Sequence, residues 1–174
     1  PFLAANAIRT DNDKPYFQES VTLKRHGLNI TIIGFTNPNI KGWLSPVLWE
    51  GMTFESLIPM AQEVVDRVSA KEKSDVVIVA VHAGTGRGDG AVLESQGLDL
   101  FKSLRGVDFV VTAHDHRPIV QQNDSICLIN AGSHCRNLGS GTVTLKVENG
   151  KVVSKSLKAE LLPVDKKNVD KKMQ

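Results

Sequence analysis

The sequence predicts a layered α/β domain with a β-sheet at its centre, and three observations support this fold class. Strand-like apolar runs alternate with segments of helical periodicity through residue 112. A β-rich segment, in which apolar and polar residues alternate, follows from residue 119. The 174 residues are 41% hydrophobic and 23% charged, as in a globular domain rather than a disordered chain. Alternating helices and strands of this kind pack as layers around one core.

The first third of the chain predicts three strands. Phe2–Ile8 is a short apolar run and is expected to be a strand. Val21–Arg25 alternates apolar and polar residues, and Leu28–Phe35 is more continuously apolar. The break at His26-Gly27 between these two runs predicts a β-hairpin with His26 on its surface.

The middle of the chain predicts two helices and two buried strands. A helix is expected to begin at Thr53, a residue able to cap it. A second helix is predicted over Val92–Leu104, weakened by its internal glycine. Val76–Val81 and Val107–Thr112 are apolar on both faces, as expected for strands inside a covered sheet. The first helix presents apolar residues at helical spacing: Leu57, Met60, Ala61, Val64, Val65 and Val68.

The C-terminal part predicts further strands. Two long alternating runs, Gly141–Glu148 and Lys151–Leu162, flank Asn149-Gly150, a strong two-residue hairpin signal. Short strands are expected at Ile119–Gln121 and Ile126–Asn130. We expect residues 1–162 to form the domain and residues 163–174 to form a linker or solvated tail, since Lys and Asp alternate there without apolar support.

Composition excludes several classes of protein. The formal net charge of +2 indicates no broad basic face for a nucleic-acid polymer. The longest apolar run, Val76–Val81, is far too short to span a membrane. Cys127 and Cys135 are too few for a disulfide framework; each is either a reactive or metal-binding thiol or, as we prefer, a small buried hydrophobe and a loop thiol. The chain opens on Pro1 without a signal peptide, so we expect it to be excised from a longer protein.

Three histidines follow predicted strands. His82 comes directly after Val76–Val81, and His114 and His116 follow the strand that ends at Thr112. Ligands gather at the carboxyl ends of strands in layered α/β folds, and residues i and i+2 of an extended segment point the same way. We therefore expect the three imidazoles to face one transition-metal site, with Asp115 pointing away or bracing a neighbour. The alternative for each histidine is a hydrogen-bonded residue at a strand end, and His134 could reach the same pocket.

The glycine-rich stretch from Gly84 to Gly90 beside His82 has several interpretations. It could cradle a phosphate, although it lacks the Lys-Ser/Thr of a P-loop. Its Arg87-Gly88-Asp89 tripeptide could be an adhesion signal, which we regard as a chance occurrence. It could also be a mobile loop that flanks a substrate, with Arg87 available to a phosphate group.

Several segments together resemble one family. "VVIVAVHAG" (76–84) resembles the strand and His-x-Gly motif of calcineurin-like phosphoesterases, and "VDFVVTAHDH" (107–116) resembles their strand and Gly-His-x-His motif with Ala113 in place of the glycine. "INAGSHCRNLGSGTVTL" (129–145) and "GLNITIIGFTNPNIKGW" (27–43) are similar to segments of the 5'-nucleotidase and 2',3'-cyclic-nucleotide 2'-phosphodiesterase branch. "PFLAAN" resembles the segment that follows the family's Asn-His motif.

The resemblance implies a partial two-sheet sandwich with flanking helices and with its N-terminal strands missing. It implies hydrolysis of nucleotide phosphate esters with two divalent cations (Zn, Mn or Fe), His82 and His114 binding one cation and His116 the other. Arg87 and His134 are candidate substrate-binding residues. A periplasmic, cell-surface or secreted location is also implied.

The family's Asp-x-His, Gly-Asp and Gly-Asn-His motifs have no match here. We therefore expect the parent protein to be the enzyme and the 174-residue piece to be inactive, with no catalytic residue of its own and the leaving-group histidine upstream. Missing strands also predict self-association or pairing with the missing N-terminal half. The alternative is a non-catalytic binding or assembly module that retains the fold.

Overall fold

The computed structural model describes residues 1–165, so most of the predicted tail, 163–174, lies outside the described residues. The chain forms ten strands and three α-helices within that range. The helices are α1 Ile40–Trp43, α2 Leu57–Glu72 and α3 Gly97–Ser103. The strands are β1 Ala7–Arg9, β2 Ser20–Arg25, β3 Leu28–Phe35, β4 Met52–Phe54, β5 Val76–Val81, β6 Phe109–Thr112, β7 Pro118–Gln122, β8 Cys127–Ala131, β9 Asn137–Glu148 and β10 Lys151–Pro163.

Six strands form the central sheet in the order β2-β3-β5-β6-β8-β7. The four inner strands, β3, β5, β6 and β8, are parallel, and the edge strands β2 and β7 are antiparallel to their neighbours. Phe35 lies opposite Val81, and Val81 lies opposite Thr112. The carboxyl ends of β3, β5 and β6 therefore meet at one edge of the sheet, which is where the candidate site is found.

One face of the sheet is covered by α2 and α3. The apolar stripe predicted for the first helix is buried where it meets the sheet, at Leu57, Ala61, Val64, Val65 and Val68. These side chains share one core with alternate residues of β5, including Val77 and Val79. Burial of each such side chain contributes roughly 1.5–3 kcal/mol relative to its exposure, so this layer is the main support of the sheet.

The other face is partly covered by the β9–β10 hairpin, which turns at Asn149 and Gly150 with φ of +50° and +74°. A two-residue turn of this kind needs positive φ at both positions, which explains the Asn-Gly pair. Phe109, Cys127 and Ile129 form a second core with the hairpin. The mixed α/β fold class predicted from the sequence is confirmed.

An apolar groove of about 470 Å³ remains between the sheet and this hairpin. Its lining includes Ile30, Ile78, Val111 and Val143. Val111, at the centre of the sheet, is 39% exposed. The hairpin therefore covers only part of this face.

Three predicted elements were wrong in extent, and long-range contacts explain each error. Phe2–Ile8 is mostly irregular because the amides of Ala4 and Ala5 bond to different partners, Gln18 and Gly34. Thr53 does not cap a helix, because it lies in β4 opposite Ile8. The helix predicted from Val92 starts only at Gly97.

The late start of α3 has a backbone cause. The amide of Gly97 donates to the carbonyl of Gly84, and that of Leu98 donates to the carbonyl of Thr85. Residues just before the helix are thus held against the loop that follows β5. A Cβ on Gly97 would lie only 2.7 Å from Thr112 Cγ2, so glycine allows α3 to approach β6 rather than weakening a longer helix.

Both cysteines are free thiols. Cys127 is fully buried in β8 and Cys135 is exposed in the loop after it. Burial raises the pKa of the Cys127 thiol, with a smaller contribution from nearby Asp108. The interpretation as a buried hydrophobe and a loop thiol is confirmed for their placement.

Candidate metal centre

Backbone hydrogen bonds hold the histidine-bearing loops together at the edge of the sheet. His82 follows β5 directly, and its amide donates to the carbonyl of Phe35 at 3.1 Å. The amide of Ala113, after β6, donates to the carbonyl of Ala83 at 3.2 Å. Since β5 and β6 are parallel neighbours, His82 and His114 emerge side by side.

The imidazoles form two neighbouring pairs. The rings of His82 and His114 have centroids 5.2 Å apart and planes at 74°. The rings of His116 and His134 have centroids 6.3 Å apart and planes at 77°. His82, His114 and His116 are close enough that the charges of the latter two act on the first. The structure thus places His82 against His114 and His116 against His134, as two pairs on neighbouring loops.

The segment that carries His114 and His116 is not extended, contrary to the prediction. Both residues have left-handed backbone conformations, with φ of +76° and +58°, and His134 has φ of +61°. Such a conformation costs a non-glycine residue roughly 1–2 kcal/mol. Consequently the two rings face different neighbours, His82 and His134, rather than pointing the same way. Ala113, in the family's glycine position, does not have a positive φ.

Asp115 braces the loops, as predicted. Its Oδ2 accepts a hydrogen bond of 2.7 Å from the amide of Thr85, and its Oδ1 accepts one of 2.8 Å from the side-chain amide of Asn130. Asn130 is fully buried at the end of β8 and also donates to Thr85 Oγ1 at 3.2 Å. One carboxylate therefore connects the loops after β5 and β6 to β8.

Electrostatics favour a neutral imidazole at His82. Its pKa is lowered first by partial burial and then by the charges of His114 and His116 when those rings are protonated. A histidine binds a metal ion in its neutral form. His82 is therefore suited to act as a ligand near neutral pH.

Two further residues contact His114 that sequence reasoning did not identify. The indole of Trp43 stacks on the His114 ring with centroids 4.8 Å apart. Glu94 Oε2 lies 3.8 Å from His114 Nε2. Trp43 ends the segment 27–43 that resembles the nucleotidase branch, but nothing in that segment assigned it to the site, and Glu94 belongs to no motif.

Arg87 lies in a separate small cleft of about 260 Å³ that also contains Asp115 and Arg117. It is exposed, and Gly86 and Gly88 on either side of it have φ of +72°. A Cβ on Gly86 would overlap the backbone oxygen of Ser95. The loop conformation therefore depends on glycine, and Asp115 is the residue shared by this cleft and the histidine loops.

The donor set fits part of a metal site. Two imidazoles with centroids 5.2 Å apart can both reach a cation at metal–nitrogen distances of about 2.0–2.1 Å. Within residues 1–165, however, no group of three or more His, Cys, Asp or Glu side chains is arranged to hold a metal ion. Any cation bound here by these residues needs further donors.

The chain is similar to several known proteins over most of its length. No protein-family model matches it. The chain is 24% identical over 163 residues to a 5'-nucleotidase of Vibrio cholerae, covering 90% of this chain and 30% of the relative. The solved structure of the calcineurin-like phosphoesterase YfkN from Bacillus subtilis superposes with a TM-score of 0.75 at 19% identity. It covers 92% of this chain, and the match spans 55% of YfkN.

The chain has the calcineurin-like phosphoesterase fold. The predicted resemblance to 5'-nucleotidases and calcineurin-like phosphoesterases is thus confirmed. The same fold also occurs in the sulfate thiohydrolase SoxB of Thermus thermophilus, with a TM-score of 0.69 at 22% identity over 93% of this chain and 28% of SoxB. The calcineurin-like fold therefore does not specify one substrate.

The match covers less than a third of the length of the Vibrio relative. Among residues 1–165, no helix has the length and apolar character needed to cross a membrane.

Proposed function

We propose that this chain supplies imidazole ligands to a two-cation phosphoesterase centre that hydrolyses nucleotide phosphate esters. The observation that supports the proposal is the contact between His82, which follows β5, and His114, which follows β6, with His116 near enough for its charge to act on His82. Surface histidines without a common role would not be expected to follow neighbouring strands at the same edge of the sheet. The similarity to a 5'-nucleotidase supports a nucleotide as substrate.

In this proposal, His82 and His114 hold one divalent cation and His116 holds the second. Imidazole suits zinc, manganese and iron. When bound, such cations supply the Lewis-acid and nucleophile-activating chemistry of phosphate ester hydrolysis. The chain's own part is to place neutral imidazoles in fixed positions, to which the lowered pKa of His82 contributes.

His134 and Arg87 are the proposed contacts to the substrate phosphate. The Nδ1 atom of His134 lies 2.8 Å from Ser133 Oγ, which orients the ring next to His116. Arg87 shares its cleft with Arg117, and a guanidinium binds phosphate oxygens in a bidentate manner. In this proposal, a phosphate group that extends from the histidines into the neighbouring cleft would meet the guanidinium groups of Arg87 and Arg117.

The 174-residue chain alone is proposed to have little or no activity. Two-cation hydrolytic sites use carboxylates as well as imidazoles, and the described residues provide no three-donor cluster. We propose that the remaining donors come with the strands that fill the apolar groove beside Val111, from the rest of the phosphoesterase domain. Without that partner, the exposed groove favours self-association. A clean monomer by light scattering at high protein concentration would count against this part of the proposal.

By resemblance to the nucleotidases, the proposed location of the whole protein is periplasmic, cell-surface or secreted. Fractionation of cells that express the full reading frame tests this: recovery of the protein with cytoplasmic markers would contradict it.

The proposed activity is tested by assaying hydrolysis of a 5'-nucleotide and a 2',3'-cyclic nucleotide with Mn²⁺ or Zn²⁺. The protein encoded by the full reading frame and the 174-residue chain are compared. We expect metal-dependent turnover by the former and little by the latter. His114→Asn in the full protein should remove most of the activity, because asparagine tolerates the left-handed backbone at residue 114 but is a poor ligand for these cations.

The matched control is His26→Asn, because His26 also has a positive φ, of +51°, but lies in the β2–β3 turn away from the site. This variant should keep full activity. Robust turnover by the 174-residue chain would contradict the need for further donors. Full activity of the His114→Asn protein would contradict the metal site itself.

A further inference from the structure

Glu94 is fixed at the site by its backbone. It lies in the loop between β5 and α3, and its carbonyl oxygen accepts hydrogen bonds from the amide of Gly84 at 2.8 Å and from the side chain of Asn37 at 3.1 Å. Asn37 is fully buried. These bonds tie Glu94 to the loops that follow β5 and β3, so its position follows from the fold rather than from a mobile surface.

The carboxylate of Glu94 faces His114. Its Oε2 lies 3.8 Å from His114 Nε2 and 3.4 Å from the side-chain nitrogen of Asn39. Asn39 is itself held by a 2.9 Å bond from its amide to Asn37 Oδ1. The carboxylate is therefore held by the side chain of Asn39 and lies within ion-pair distance of one nitrogen of the His114 ring.

Neutral histidine carries its single ring proton on either Nδ1 or Nε2, and the partner of one nitrogen decides which. Metal-binding histidines usually donate the ring N–H that is not bound to the metal to a carboxylate or a carbonyl. A movement of about 1 Å brings Glu94 Oε2 from ion-pair distance into the hydrogen-bond range of about 2.7–3.2 Å.

We propose that Glu94 is a positioning residue for His114: its carboxylate accepts the Nε2–H group and leaves Nδ1 as the free lone pair directed to a cation. The role of Nδ1 rests on the proposed function, whereas the choice of tautomer does not. Glu94 thereby selects which nitrogen of His114 can bind metal. Trp43 stacks on the face of the imidazole and so limits rotation of the ring, which would otherwise exchange the positions of the two nitrogens.

The experiment uses the 174-residue chain labelled with ¹⁵N in its histidines. Long-range ¹H–¹⁵N spectra at pH 8 without metal report the tautomer of each ring, and competition with a chromophoric chelator reports Zn²⁺ affinity. We expect His114 to be the Nε2–H tautomer. In Glu94→Gln this preference should be lost, and Zn²⁺ affinity should fall about tenfold, in the range of about 10–100-fold measured for such partners.

Glu50→Gln is the matched control, because Glu50 is an exposed carboxylate in a cleft lined by Thr10 and Pro46 and not by the histidines, and it should change neither measurement. Glu94→Ala serves as a second variant, and circular dichroism of both Glu94 variants establishes that they are folded. An Nδ1–H tautomer of His114 in the unsubstituted 174-residue chain would overturn the inference. An unchanged tautomer in both Glu94 variants would overturn it as well. If the 174-residue chain binds no Zn²⁺, as the need for further donors allows, the metal-free tautomer still decides the role of Glu94, and the proposed metal site is decided separately by the activity of the protein encoded by the full reading frame.

Discussion

Trp43 lies flat against His114: their ring planes are 17° apart and their centroids are separated by 4.8 Å. Trp43 ends the short helix α1, which follows β3 at the same edge of the sheet as the histidines. About 40% of the Trp43 surface is exposed. The residue therefore supports the imidazole from the solvent side rather than belonging to the core.

Replacing Trp43 by alanine is expected to weaken metal binding by about two- to tenfold. Aromatic stacking is worth about 0.5–1.5 kcal/mol beyond the burial of area, and that support for the His114 ring would be lost. Trp43→Phe should retain most of the affinity. Isothermal titration with Zn²⁺ of the protein encoded by the full reading frame, which is proposed to carry the remaining donors, measures the effect.

The control for Trp43 is Trp49→Ala. Trp49 belongs to the same segment, but it packs against the Lys41 ammonium group, 4.8 Å from the ring, and donates to the carbonyl of Leu44. An equal loss of affinity in both alanine variants would show that the segment as a whole, and not the stack, supports His114.

Acidification is expected to destabilise the metal-free chain partly through His82. Its pKa is lower in the folded chain than the usual value of about 6.5. As the pH falls below that value, His82 becomes protonated in the unfolded chain while it is still neutral in the folded chain. Its contribution to stability is thus present above about pH 6.5 and is lost as the pH approaches the lower, folded-state pKa.

Urea denaturation at pH 8 and pH 5.5 tests this in the presence of a chelator. The parent chain should lose more unfolding free energy between the two pH values than His82→Gln does. Titration of the His82 ring by NMR gives the same information directly. A midpoint at or above that of the unfolded chain contradicts the prediction.

Asp115→Asn is expected to lower the unfolding free energy by about 1–3 kcal/mol. Both carboxylate oxygens accept from donors, the amide of Thr85 and the side chain of Asn130, so an asparagine NH₂ group must face one of them and leave it without an acceptor. Urea denaturation measures the loss. Asp124→Asn, at an exposed carboxylate, should be neutral, and equal midpoints for the two variants would exclude a bracing role.

The pair between Lys155 and Asp108 is expected to hold β10 to the sheet. Lys155 Nζ lies 2.9 Å and 3.0 Å from the two oxygens of Asp108, which is 5% exposed and also accepts from the amide of Val77. Lys155→Met should cost about 1–2 kcal/mol, because it leaves a buried carboxylate with an unmet acceptor while the lysine itself is partly exposed.

Lys158→Met provides the comparison on the same strand. Lys158 pairs with Glu160 at 2.8 Å, but both side chains are exposed, and such pairs contribute about 0–1 kcal/mol. Thermal unfolding should therefore distinguish the two methionine variants. Similar melting temperatures would show that burial of Asp108 does not strengthen its ion pair.

Short sequence patterns predicted the two hairpin turns and the positions of the histidines at the strand ends. The His26-Gly27 and Asn149-Gly150 turns were predicted because two-residue hairpins require positive φ, and both pairs have it. The position of His82 and His114 was predicted because strand ends follow from apolar runs. That prediction needed only the parallel order of β5 and β6, which is usual in alternating α/β chains.

The rest depends on contacts between distant segments. Glu94 reaches His114 only because its carbonyl bonds to Gly84 and Asn37, and nothing in the residues around Glu94 indicates this. The predicted helix starts at Val92 and Thr53 were wrong for the same reason. In the structure, backbone partners elsewhere in the chain delay α3 to Gly97 and place Thr53 in a strand, against the local propensity. The left-handed backbones at His114 and His116 were not predicted either, because histidine, unlike glycine, does not indicate a positive φ.

The bonds from Asp115 to Thr85 and Asn130 have a thermodynamic consequence for any cation that arrives. Two loops are already tied to each other and to β8 before binding, so the conformational entropy of arranging their imidazoles is lost during folding and not during association. At the proposed metal site, a cation would therefore lose little affinity to the ordering of these two loops.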